Sequence, residues 1–160
     1  MRTTWRLPEV ELSRAELEGR RIESVLVEFD GPEIASVWGL DGERRLSVAC
    51  DEVASAVRWV EAALSPQQWR DLFEGRLTIR EGLQQAEVWI VDQTIGGDAL
   101  HGWRMSSLTL TDDVLPEPGA LLPTETRRRF AMGPRAAPAE LSERDAQVSR
   151  GSPAMPRMVA

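Results

Sequence analysis

The chain has 160 residues and a formal net charge of −7, and all 19 of its basic residues are arginines; it contains no lysine, tyrosine or asparagine and a single histidine and cysteine. Without lysine there is no phosphate-loop lysine and no Schiff-base lysine, and one His with one Cys cannot supply the four N/S ligands of a structural zinc site. Charge is uneven: residues 1–123 carry 22 acids against 12 arginines, and residues 124–160 carry 4 against 7. An acidic body repels nucleic-acid backbones and favours basic partners.

Residues 1–21 form a lead segment. Within it, "LSRAELEGRR" predicts one or two helical turns, with Ser13 as N-cap and Gly19 as the stop. No apolar leader and no run of about 20 apolar residues is present, so a cytoplasmic protein without a membrane span is expected. "RIESVLVEFDGP" reads as a strand ended by Asp30-Gly31-Pro32. "EIASVWGLDGERRLSVAC" reads as a hairpin with arms at about 33–39 and 44–50. Its Asp41-Gly42 pair suits a tight turn that needs positive φ.

"DEVASAVRWVEAAL" is ambiguous. Val53, Val57, Val60 and Leu64 keep helical spacing, yet "VRWVEAAL" also fits a strand. "SPQQWRDLFEG" is a helix with Ser65 as N-cap, Pro66 at N1, an apolar stripe of Trp69, Leu72 and Phe73, and Gly75 just past its end. A second short helix capped by Thr78 follows. "AEVWIVDQTI" is apolar on both faces, as expected of a strand covered on both sides. Gly96-Gly97-Asp98 turns the chain into a returning strand that carries His101 and Trp103, with Leu108 and Leu110 continuing its alternation. From 124 to 160 the composition shifts to Ala, Arg, Pro and Ser, which predicts a flexible tail.

Together these elements predict an α+β fold: a curved, mainly antiparallel sheet of five or six strands, with a short helical pair at about 65–84 packed on one side. The folded domain is expected over 22–123, between the 1–21 lead segment and the 124–160 tail.

Candidate chemistry is sparse. His101 with Asp98 and Ser106 or Ser107 lacks the G-x-S-x-G elbow of a hydrolase serine. Cys50 with His101 requires neighbouring strands and a lowered thiol pKa. The pairs Asp112-Asp113, Asp92 with Asp98, and Asp51-Glu52 read as solvated turn ends rather than a metal site. Trp38 and Trp103 flank turns, so with His101 and Asp98 they form the candidate binding set. Arg127, Arg128 and Arg129 are the candidate tail contact. No catalytic residue, metal ligand or cofactor is assigned.

The segments "FDGP", "LSPQQWRDLFEGRLTIREGL" and "LPEPGALLP" resemble, over about residues 20–123, an uncharacterised family of small bacterial α+β domains. The resemblance implies domain limits and an α+β fold. It implies no activity and no site. The expectation is therefore a non-enzymatic protein-binding or adaptor domain, engaging a protein partner through its acidic body or its tail. The alternatives are a small enzyme or ligand-binding domain with a Trp/His-lined pocket, and an acidic nucleic-acid mimic that inhibits a basic enzyme.

Overall fold

Six segments become strands, the central ones covered on both faces. In the computed structural model, which describes residues 10–28, 32–53, 55–94, 97 and 99–130, they are β1 (Arg21–Glu28), β2 (Pro32–Trp38), β3 (Arg44–Val53), β4 (Ala56–Ala63), β5 (Glu87–Thr94) and β6 (Ala99–Ser106). They form one open antiparallel sheet in sequence order, β1-β2-β3-β4-β5-β6, accompanied by short helices. This is the α+β class expected. The ambiguous 51–64 stretch belongs to β3 and β4. Strand wins there because both faces are covered: Arg58, Val60 and Ala62 are buried on one side, and Trp59 and Glu61 on the other.

The β2–β3 turn forms as its Asp-Gly pair predicts, with Gly42 at φ 79° and Gly39 N–H donating to the Glu43 carbonyl. The Asp30-Gly31 turn, and Gly96 and Asp98 of the β5–β6 turn, lie outside the described residues.

Opposed residues of antiparallel strands share a face. On the core face, Ile34, Val48, Val60, Ile90 and Trp103 run in one register line across β2 to β6. Over this face lie α2 (Pro66–Phe73) and α3 (Ile79–Leu83), each opened by a capping box at Ser65 and Thr78. Trp69, Leu72, Ile79 and Leu83 enter the same buried cluster as Leu46, Val60 and Ile90.

Two expectations change here. First, the folded body does not stop at 123. Thr124–Arg129 forms a helix, α4, and Phe130 is buried in the core, stacked on Phe73 at 5.6 Å. Thr126 Oγ1 donates to the Leu26 carbonyl (2.8 Å) and an Arg129 Nη to that of Val25 (3.2 Å). These side chains satisfy carbonyls of β1, an edge strand with three register shifts. A six-residue helix followed by one aromatic leaves little trace in composition. Second, β6 ends at Ser106. Ser106 Oγ accepts from Leu108 N–H and Thr109 Oγ1 donates back to the Ser106 carbonyl, so Ser107–Thr109 closes a 3₁₀ turn. Leu108 is left 93% exposed.

The lead segment is also part of the body. Glu11 bridges Trp103, with Leu12 N–H donating to the Gly102 carbonyl and Arg104 N–H to that of Val10. Helix α1 (Arg14–Glu18), capped by Ser13 and ended at Gly19, then leads from the β6 edge to the start of β1, at the other edge. Leu12 and Leu17 pack on the second face of the sheet against Trp89 and Val91. Gly102 permits this approach: a Cβ there would come within 2.6 Å of Leu12 Cδ1 and 2.9 Å of Leu17 Cδ2. Gly102→Val is expected to lower stability by about 1–3 kcal/mol. Urea unfolding measures the loss. Hydrogen exchange should show it centred on the Leu12 amide, with the β3–β4 amides keeping their relative protection.

Candidate functional site

Several of the polar residues weighed in the sequence gather at one end of the sheet. Asp51, Arg58, Asp92 and His101 lie in register on β3, β4, β5 and β6 and therefore share one face. Arg58 and Asp92 are both buried and form a two-pronged pair, Nε to Oδ1 at 2.7 Å and Nη2 to Oδ2 at 2.8 Å. The hydrogen-bonded Asp92 carboxylate raises the Arg58 pKa above its ordinary value. The Arg58 guanidinium lies 5.6 Å from the centre of the Trp103 ring. His101 stands 6.0 Å from Trp103, centre to centre, and is exposed.

Cys50 sits on a bulge between Ala49 and Asp51. Its Sγ donates to the Arg58 carbonyl at 3.3 Å, and burial, reinforced by the Asp51 charge, pushes its thiol up to about 12. A thiol nucleophile needs the opposite shift. At neutral pH Cys50 is a protonated, hydrogen-bonded core group. Asp92 is held by Arg58, and His101 faces solvent. This end of the sheet holds a buried ion pair with Trp103 beside it.

The remaining predicted residues do not join it. Trp38 ends β2 opposite Arg21 and Arg44, at the other end of the sheet, so Trp38, Trp103 and His101 line no common pocket. The reason is register: Trp103 aligns with Ile34, four residues before Trp38. Trp38 Nε1 is buried without a hydrogen-bond partner. Asp98 lies outside the described residues. Asp112 pairs with Arg80, Asp113 accepts from Thr111, and Ser106 caps its own turn, so none of these converges on His101. Arg127 and Arg129 donate to the body's own carbonyls at Leu122 and Val25, while Arg128 is exposed. Among the described residues no three of His, Cys, Asp and Glu gather as a metal site, and no helix is long and apolar enough to cross a membrane.

No family model, curated protein or solved structure matches this chain. The site has to be read from its own geometry.

That geometry brings forward residues on the second face that sequence reading passed over. Glu61 is fully buried and takes two hydrogen bonds from Arg20, Nε at 2.8 Å and Nη2 at 2.7 Å. Its neighbour in register is Trp89. The Arg45 guanidinium lies 3.6 Å and that of Arg104 5.7 Å from the Trp89 ring centre. A cavity of about 830 Å³ opens beside these groups, between the lead segment and the β5–β6 hairpin. One sequence signal pointed this way: Glu61 stands at a covered position of a strand whose one other charged residue is Arg58, and a buried carboxylate needs a cation.

The composition permits a clean test of Cys50. Apart from Cys50, no side chain in this lysine- and tyrosine-free protein ordinarily titrates between pH 9 and 12. The folded thiol pKa is raised, from 9.0 to about 12, so the folded state holds its proton after the unfolded chain has lost it. The contribution is therefore fully present below pH 9 and is lost as pH rises towards 12, by up to about 4 kcal/mol. Chemical denaturation across this range should show stability falling in the natural chain and a much flatter profile in Cys50→Ala.

Proposed function

We propose that this protein is a non-enzymatic binding domain whose folded, acidic body engages a basic protein partner. The observation that carries the reading is an apolar patch with an acidic rim at the β2–β3 turn. Leu40 is 62% exposed at the tip of this turn, and Ile22 is exposed on neighbouring β1. Leu40 packs against the end of α1: a Cβ on Gly19 would lie 2.7 Å from Leu40 Cβ. Around them stand Glu18, Asp41 and Glu43, all with exposed carboxylates. Arg45 serves both Asp41 and Glu43 and lowers the pKa of Asp41, so one cation faces two carboxylates. Large exposed apolar side chains with a charged rim are the usual anatomy of a partner site. Arg14 offsets Glu18 and Arg45 is shared by Asp41 and Glu43, so the excess at the rim is acidic, and an acidic excess favours a basic partner.

Catalysis has less support. The reactive side chains at the sheet end are engaged or solvent-facing, and they do not line the cavity.

The test is affinity capture from host lysate with the full chain, beside Leu40→Arg and His101→Ala. A specific partner should be retained by His101→Ala and weakened at least tenfold by Leu40→Arg, with melting temperatures unchanged. Its retention should fall as salt rises. Equal capture by all three chains would place the contact elsewhere.

A further inference from the structure

The cavity on the second face has the size of a small-molecule site, which typically spans about 300–1,000 Å³, and its electrostatics select a ligand class. One side is apolar: Leu12 and Leu17 from the lead segment, Ile22 from β1 and Ala99 from β6. The polar side is made by Arg20, Gln93 and Gly97. At the rim stand Arg14 and Glu18, bonded to each other at 2.8 Å.

Among the described residues, each charge in this lining is compensated. Arg20 gives Nε and Nη2 to the two oxygens of Glu61, and both side chains are buried, at 5% and 0% exposure. An anionic ligand would have to compete with a fixed carboxylate at hydrogen-bond distance, and a cationic ligand with the guanidinium. Either would bring an unmatched charge into a partly desolvated space. Gln93 is different. Its Nε2 donates to the Gly97 carbonyl at 2.7 Å, which fixes the amide, and its Oε1 receives only a long contact of 3.5 Å from Arg20 Nη1. That leaves Oε1 as an acceptor with capacity for a short hydrogen bond.

We propose that this cavity binds a neutral small molecule with an apolar body and a hydroxyl or amide donor. The apolar body lies on Leu12, Leu17, Ile22 and Ala99, and the donor meets Gln93 Oε1. This site goes beyond the protein-facing patch: the two share Ile22 and Glu18, and Leu40 belongs to the patch without lining the cavity.

The test uses the full chain and a matched series of heads on one body. Nile red, itself neutral, reports occupancy by its emission shift, and 1-decanol, decanoate and decylammonium compete below their aggregation concentrations. The proposal expects saturable Nile red binding, with 1-decanol displacing it at a concentration at least tenfold lower than either charged analogue. Ala99→Phe should weaken Nile red binding at least tenfold. Gln93→Leu should retain Nile red and erase most of the advantage of 1-decanol. Leu40→Arg should leave every value unchanged, so failure here is distinguishable from failure of the partner reading. Absent binding, equal or better competition by a charged analogue, or indifference to both Ala99→Phe and Gln93→Leu would overturn it. Melting curves on each variant separate loss of site from loss of fold, and Gln93→Leu carries the decision if Ala99→Phe does not fold.

Discussion

A carboxylate with no access to water must be matched by a cation, and Glu61 in the middle of β4 is matched by Arg20. Desolvating one such ion without a partner costs several kcal/mol. The cation comes from the residue between Gly19, where α1 ends, and the start of β1. The chain ahead of β1 is therefore bound to the body: its end meets β4 at the pair, and residues 10–12 add to the β6 edge. Gly102 gives room for Leu12 and Leu17, Trp89 gives them an apolar floor, and Glu16 reaches Arg104. The cavity exists because this segment crosses the second face of the sheet without filling it.

The same chemistry recurs on the core face. Arg58 pairs with Asp92, and Arg44 pairs with Glu23 while its guanidinium lies 4.3 Å from the Trp69 ring centre. In a chain whose only basic residues besides His101 are arginines, the buried acids Glu61 and Asp92 and the half-buried Glu23 each meet a planar, multi-donor partner. Such a partner can bond a carboxylate with two hydrogens while its flat face lies on an indole. These pairs account for the structural roles of Asp92 and Cys50. Asp92 is neutralised in place, and Cys50, bonded to the Arg58 carbonyl beside it, remains a thiol.

Local signals in the sequence carried most of the fold. The Asp41-Gly42 turn, the Ser65-Pro66 start of α2, the Thr78 cap and the α1 limits at Ser13 and Gly19 each depend on residues within four positions of one another. Segment 51–64 was undecided because its valines satisfy two periods at once, and only the covering of both faces separates strand from helix. Leu108 and Leu110 continued the β6 alternation, yet a side-chain cap from Ser106 turned the chain away. Helix α4 was hidden because its reason for folding is remote: Phe130 needs Phe73, and Thr126 needs the Leu26 carbonyl. The site was least legible for the same reason. Arg20 and Glu61 are 41 residues apart, and Arg58 and Asp92 are 34 apart. Trp38, Trp103 and His101, grouped by their nearness to turns, are distributed by register to opposite ends of the sheet.

The most direct measurement is a double-mutant cycle on the Arg20–Glu61 pair, with unfolding free energies for Arg20→Met, Glu61→Leu and the double variant. If the pair fixes the lead segment to the sheet, each single change strands a buried charge and costs about 3–5 kcal/mol. The double change should then recover much of that loss, and hydrogen exchange at Leu12 should rise in both single variants. Single costs below about 1 kcal/mol that simply add, with Leu12 still protected, would contradict the account.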